Sequence, residues 1–116
     1  MAITSEIIGK LGGGADVEVV PVSGTLPGGN NLQTTLHTVQ IPNGETWLVS
    51  VIGTITSGAE AHYDASWLEV GGSRGYSLGL SGVSAVVTGT VQVKFGKQYD
   101  WGYPDTFTGH VYAVKL

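Results

Sequence analysis

The clearest pattern in the chain runs from Thr46 to Thr56, TWLVSVIGTIT. Trp47, Val49, Val51, Gly53 and Ile55 fall on one side of an extended backbone, and Leu48, Ser50, Ile52, Thr54 and Thr56 on the other. Alternation rich in β-branched side chains predicts a long strand near the centre of an antiparallel sheet, with its apolar face on a core. Gly53 interrupts that apolar face, the mark of a bulge or a close backbone approach. Ahead of the strand, Pro42-Asn43-Gly44-Glu45 reads as a tight hairpin turn, because Asn and Gly tolerate positive φ.

The same reading extends along the chain. Asp16 to Ser23 alternates and then meets Pro21, which belongs on an edge strand or at a bulge. Gly24 to Asn31 is dense in turn formers and predicts a loop. Leu32 to Ile41 is a strand whose pattern changes phase between Leu36 and Val39, as a bulge requires. Ala61 to Val70 follows as a strand with Tyr63, Ala65 and Trp67 on one side, and Gly71 to Gly75 as a turn. Tyr76 to Leu80 is a short strand, with a break at Ser81-Gly82. Val83 to Phe95 alternates well, with Gly89 at a kink or a change of sheet. Gly96 to Asp105 is an aromatic loop, and Phe107 to Leu116 a closing strand with Val111 and Ala113 opposite Tyr112, Val114 and Leu116. About seven or eight strands at this spacing predict an all-β fold, an antiparallel β-sandwich of jelly-roll-like type, over residues 15–116.

Residues 1–14 stand apart. Thr4 is placed to cap a short helix, with Glu6 in its first turn and Lys10 in its last. Ile3 and Ile8 have the spacing of a hydrophobic staple, and Ile3, Ile7, Ile8 and Leu11 share one face. Gly12-Gly13-Gly14 then forms a flexible joint. The segment, helical or extended, either folds back on its own sheet or forms an arm that docks on a neighbouring subunit. Those four aliphatic side chains are the candidate attachment residues.

Composition narrows the function. Charged residues make up 12% of the chain, about half the ~25% usual in soluble domains, so much of its surface suits cover by a partner. Five Lys and Arg spread along a chain of net charge -4 make no basic patch, which argues against nucleic acid as a partner. There is no Cys, hence no disulfide, thiolate chemistry or Cys-based zinc site. MAITSEIIGK lacks the pattern of a secretory signal, and no apolar run is long enough to cross a bilayer. The expectation is a chain made in a cytoplasm, with neither membrane nor cofactor attached.

Candidate chemistry is thin. Glu60, His62 and Asp64 alternate on one strand face and could hold a divalent metal, but no fourth ligand is in view. His37 and His110 are isolated, and read as surface or interface residues. Asp100 and Asp105 flank a loop and could form the carboxylate pair of a glycoside hydrolase, although nothing sets their separation. No Ser sits in a G-x-S-x-G turn, and the glycine-rich stretches lack a phosphate-loop Lys. Tyr99, Trp101 and Tyr103 alternate in the aromatic loop, which suits a subunit contact, a plug for one end of the sandwich, or a platform for host-wall glycan.

The opening MAITSEIIGKLGGGADVEVVPV, the PNGETWLVSVIGTI strand, TGTVQVKFGKQYDWG and the closing GHVYAVKL together resemble the small β-sandwich virion proteins of tailed bacteriophages of actinobacteria. These are minor tail proteins and head-decoration proteins. The resemblance covers most of the chain and is one of pattern. Phe95-Gly96-Lys97 in the late turn and the long loop to Phe107 depart from it. It implies a non-enzymatic subunit, assembled in host cytoplasm, that forms homo-oligomers, often trimers, and attaches to other virion proteins. A tail or tail-tip position is expected, with head decoration as the alternative. A carbohydrate-binding module acting on host-wall glycan is a further alternative, carried by Trp101 and its neighbours.

Overall fold

The computed structural model describes residues 16–57, 66–76, 79–98 and 103–116. The arm with Ile3, Ile7, Ile8 and Leu11 lies outside the described residues, as do Glu60, His62, Asp64, Tyr99, Asp100 and Trp101. Eight strands are described: β1 (Val17–Leu26), β2 (Leu32–Gln40), β3 (Trp47–Ser57), β4 (Ser66–Val70), β5 (Ser73–Tyr76), β6 (Gly79–Val87), β7 (Thr90–Lys97) and β8 (Asp105–Lys115). They form two antiparallel four-stranded sheets, ordered β1-β8-β3-β6 and β2-β7-β4-β5. The pairs β1–β8, β2–β7, β3–β6 and β4–β5 nest inside one another, so the chain rolls up like one long hairpin. That nesting is the jelly roll, the double-sheet solution to the exposed-edge problem.

The core lies between the sheets. β3 supplies Trp47, Val49, Val51 and Ile55, and β8 supplies Phe107, Val111 and Ala113. Opposite them stand Val39 of β2, Leu68 and Val70 of β4, and Val91, Val93 and Phe95 of β7. Each buried Val, Leu, Ile or Phe side chain contributes about 1.5–3 kcal/mol of transfer free energy. Phe95 and Phe107 meet across the sheets with ring centroids 5.9 Å apart. Phe107 also lies over the Gly53–Gly109 pair, where a Cβ on Gly53 would stand 2.6 Å from its ring tip. Gly53 is therefore a close backbone approach without a bulge, since the β3–β8 register is continuous through it. At one margin His37 Nε2 and Glu18 Oε1, on strands of different sheets, are 2.9 Å apart and tie the sheets together.

Several sequence expectations need correction. β1 continues through Gly24 to Leu26, because Gly24 lies under Leu36 and Thr34, and Leu26 is buried. The register slip in β2 falls between Thr35 and His37, slightly earlier than the pattern implied. Pro42–Glu45 does turn, with Gly44 at φ 83° and Glu45 N–H donating to the Pro42 carbonyl over 3.1 Å. It is no hairpin, however: β2 and β3 belong to different sheets, and the turn arches between them. Gly71 and Gly72, at φ 54° and 85°, form the two-residue turn of the β4–β5 hairpin, so Ser73 and Arg74 are strand residues. β6 runs through Ser81-Gly82 unbroken. The Val83–Phe95 run is two strands, and Gly89, at φ 70°, marks the change of sheet. β7 extends to Lys97 and β8 begins at Asp105, which shortens the aromatic loop at both ends.

Gly89 offers a clean test of backbone strain, since nothing lies within 4 Å of an added Cβ. Gly89→Ala is expected to lose about 1 kcal/mol from left-handed backbone strain alone. For a chain of this size that lowers Tm by about 4 °C, readable by calorimetry. An unchanged Tm would show that the turn relaxes to negative φ.

Candidate functional site

Two surfaces stand out, one on the outer face of each sheet. On the first sheet, β-strand parity turns Leu48, Ser50, Ile52, Thr54 and Thr56 of β3 outward. The register extends this row by row. Val17, Val114, Leu48 and Val86 lie side by side across β1, β8, β3 and β6. Next come Val19, Tyr112, Ser50 and Ser84, then Pro21, His110, Ile52 and Gly82, then Ser23, Thr108, Thr54 and Leu80. No Asp, Glu, Lys or Arg occupies any of these positions. Ile52 is 46% exposed, Val86 63% and Leu80 79%, so three aliphatic side chains stand in water. Ser50 and Ser84 satisfy each other through a 2.7 Å hydroxyl contact, and His110 lies against Tyr112 with ring centroids 6.0 Å apart.

The second sheet is built differently. Its outward row Lys94, Glu69 and Arg74 is charged, and Arg74 holds Glu69 Oε1 through Nε at 3.1 Å and Nη2 at 2.9 Å. The Arg74 guanidinium also stacks on the Trp67 ring, 3.7 Å from its centroid. Trp67 can lie flat only because its neighbour on β7 is glycine: a Cβ on Gly96 would fall 2.1 Å from the ring. Beside this stack, at the start of β2 and the end of β7, a cleft of about 270 Å³ is lined by Asn31, Leu32, Gln33, Trp67, Arg74, Lys97 and Gln98.

At the same end of the sandwich, Ser66 Oγ donates to Asp105 Oδ2 over 2.6 Å, and Lys97 Nζ donates to the Tyr103 carbonyl over 3.1 Å. Ser66, Lys97 and Asp105 are all buried. Asp105 is thus a buried first residue of β8, bonded to a serine, while Asp100, with which it could form a carboxylate pair, lies outside the described residues. Of the aromatic trio only Tyr103 is described, and its ring is exposed. His37 is held by Glu18, while His110 sits on the uncharged sheet face, at the surface as expected. Among the described residues no group of three or more His, Cys, Asp or Glu is placed to hold a metal ion.

The outer face of the first sheet and the Trp67–Arg74 stack were missed as sites. The β3 half of the face was visible as Leu48, Ser50 and Ile52, and a Gly71-Gly72 hairpin would have put Arg74 opposite Glu69.

Fold and surfaces together define a jelly-roll β-sandwich with one uncharged and one charged outer face. No protein-family model matches the chain, and neither does any curated protein. Among solved structures, it is similar to the CBM36-1 domain of a multidomain xylanase from the hindgut metagenome of Trinervitermes trinervoides. The TM-score is 0.45 at 17% identity, over 84% of this chain and 96% of that one.

Proposed function

We propose that the chain is a non-enzymatic structural subunit that assembles with further copies of itself through the outer face of the β1-β8-β3-β6 sheet, as part of a phage virion at the tail or tail tip. The observation that carries the assembly is the absence of any charged residue from that face while aliphatic side chains cross it. Burying an unpaired charge costs several kcal/mol, so a face without charges can be covered at little electrostatic cost. A second copy is the occupant that suits it. The chain carries net charge -4, and copies meeting through this face avoid placing like charges opposite one another.

Area supports the same occupant. Four strands at about 4.8 Å spacing and nine residues at about 3.3 Å make a face of about 19 by 30 Å, or roughly 570 Å² per copy. The roughly 1,100 Å² covered on two copies clears the ~1,000 Å² that marks a specific interface. The virion assignment rests on the resemblance of the sequence to phage tail and head-decoration proteins. Ile3, Ile7, Ile8 and Leu11 are proposed to attach the oligomer to other virion proteins, with Tyr99, Trp101 and Tyr103 at subunit or host contacts.

Deleting residues 2–14 tests the attachment. The shortened chain is expected to remain folded by circular dichroism and to be lost from purified particles, and antibody-labelled electron micrographs are expected to show the intact chain on the tail. Normal incorporation of the deletion variant would refute the arm, and label confined to the head would move the subunit to capsid decoration.

A further inference from the structure

We propose that the cleft beside the Trp67–Arg74 stack binds a neutral sugar unit of a glycan, a role separate from assembly through the opposite sheet. Its size suits such a ligand: about 270 Å³ lies just below the ~300 Å³ at which sites for drug-sized molecules begin. One ring fits, with neighbouring units left in solvent.

The lining has the matching chemistry. Asn31 and Gln33 each present a carboxamide, which carries an acceptor oxygen and two N–H donors, and Gln98 completes the lining. A sugar hydroxyl likewise donates and accepts, so amides meet it without a charge to desolvate. Leu32, half-buried at the cleft, gives apolar surface for the C–H side of a sugar ring, while the face of Trp67 is already covered by Arg74.

Rigidity favours binding here. Asn31 N–H donates to the Gln98 carbonyl over 2.7 Å, and the ladder continues with Leu32 opposite Lys97 and Gln33 opposite Gly96. Arg74 is fixed on two sides, by the Trp67 ring and by the Glu69 carboxylate. Groups held before the ligand arrives lose little freedom when it binds.

The same contacts argue against an anion as the ligand. Glu69 offsets the Arg74 charge, and Lys97 is 1% exposed with its ammonium directed at the Tyr103 carbonyl. A single shallow site binds weakly, but several sites on one oligomer gain by avidity.

The test is calorimetric titration of the full chain with neutral cello-, xylo-, manno- and galacto-oligosaccharides, and with inorganic phosphate. At least one oligosaccharide is expected to bind with millimolar Kd, undisturbed by phosphate. Gln33→Ala combined with Gln98→Ala removes two hydrogen-bonding amides and should weaken that binding about 10-fold. Thr38→Ala, outward on β2 beyond the cleft, should change it less than about 2-fold. Circular dichroism of each variant establishes that folding survives. Failure of all the neutral oligosaccharides to bind, equal binding by the double variant, or competition by phosphate would each overturn the proposal.

Discussion

Gly53→Val is expected to cost the fold more than about 4 kcal/mol, although it adds only three carbon atoms. Gly53 on β3 faces Gly109 on β8, and both strands are interior to their sheet. A Cβ on Gly53 would stand 2.3 Å from the Thr108 carbonyl oxygen and 2.7 Å from the Gly109 Cα. Those are backbone atoms of a strand paired on both edges, so they cannot move aside as a flexible side chain could. The third neighbour, the Phe107 ring at 2.6 Å, is itself packed against Phe95. Overpacking usually costs about 1–3 kcal/mol, but a clash with fixed backbone belongs in the tail above about 4 kcal/mol. Domains of this kind are stable by only about 5–15 kcal/mol, so a loss of that size takes roughly a quarter to four-fifths of the reserve. Gly82→Ala is the control, because its Cβ would meet Ile52 and the Val51 carbonyl at 3.4 and 3.5 Å, ordinary contact distances. Urea denaturation should show Gly82→Ala within about 1 kcal/mol of the parent. A Gly53→Val variant equally close to the parent would mean that the two central strands can separate.

The second large effect is expected on association. Leu48→Asp together with Ile52→Lys keeps the net charge at -4 and changes two side chains that are 36% and 46% exposed. Exposed substitutions typically shift stability by less than about 0.5 kcal/mol each, so the single chain should fold as before. In an oligomer mated through this face both charges would be covered. Desolvating them costs several kcal/mol, and even an ion pair formed across the contact rarely repays that cost. A loss of about 4 kcal/mol corresponds to roughly a thousand-fold rise in the dissociation constant. Light scattering behind a sizing column should then find the double variant monomeric where the parent is not. Retention of the parent's size by a folded variant would place the interface elsewhere.

How much of this was legible in the sequence depended on whether the property was local. β3 was readable because each buried residue alternates with an outward one, and Gly53 broke a row in which every other position was large. The change of sheet at Gly89 was signalled by the glycine, but alternation could not separate β6 from β7. Val87 and Val91 both face the core, so parity persists through the turn. Gly24 was read as loop because its composition resembles the turn that follows, whereas Leu36 and Thr34 of β2 pack over it. The uncharged face was half visible. Leu48 and Ile52 lie on one strand, but the row Val17–Val114–Leu48–Val86 draws on four strands up to 97 positions apart in the numbering, from Val17 to Val114. Only the pairing order brings them together. The cleft was hidden for the same reason, since Gln33, Trp67, Arg74 and Gln98 come from four strands or their ends.

The claim that this sheet face seeks a second copy is tested most directly by sedimentation equilibrium of the unmodified chain across micromolar concentrations. The expected mass is at least twice the 12.0 kDa of one chain, and it should fall toward 12.0 kDa on dilution only if association is weak. A single species of 12.0 kDa at every concentration would contradict the assembly of this protein through its uncharged face.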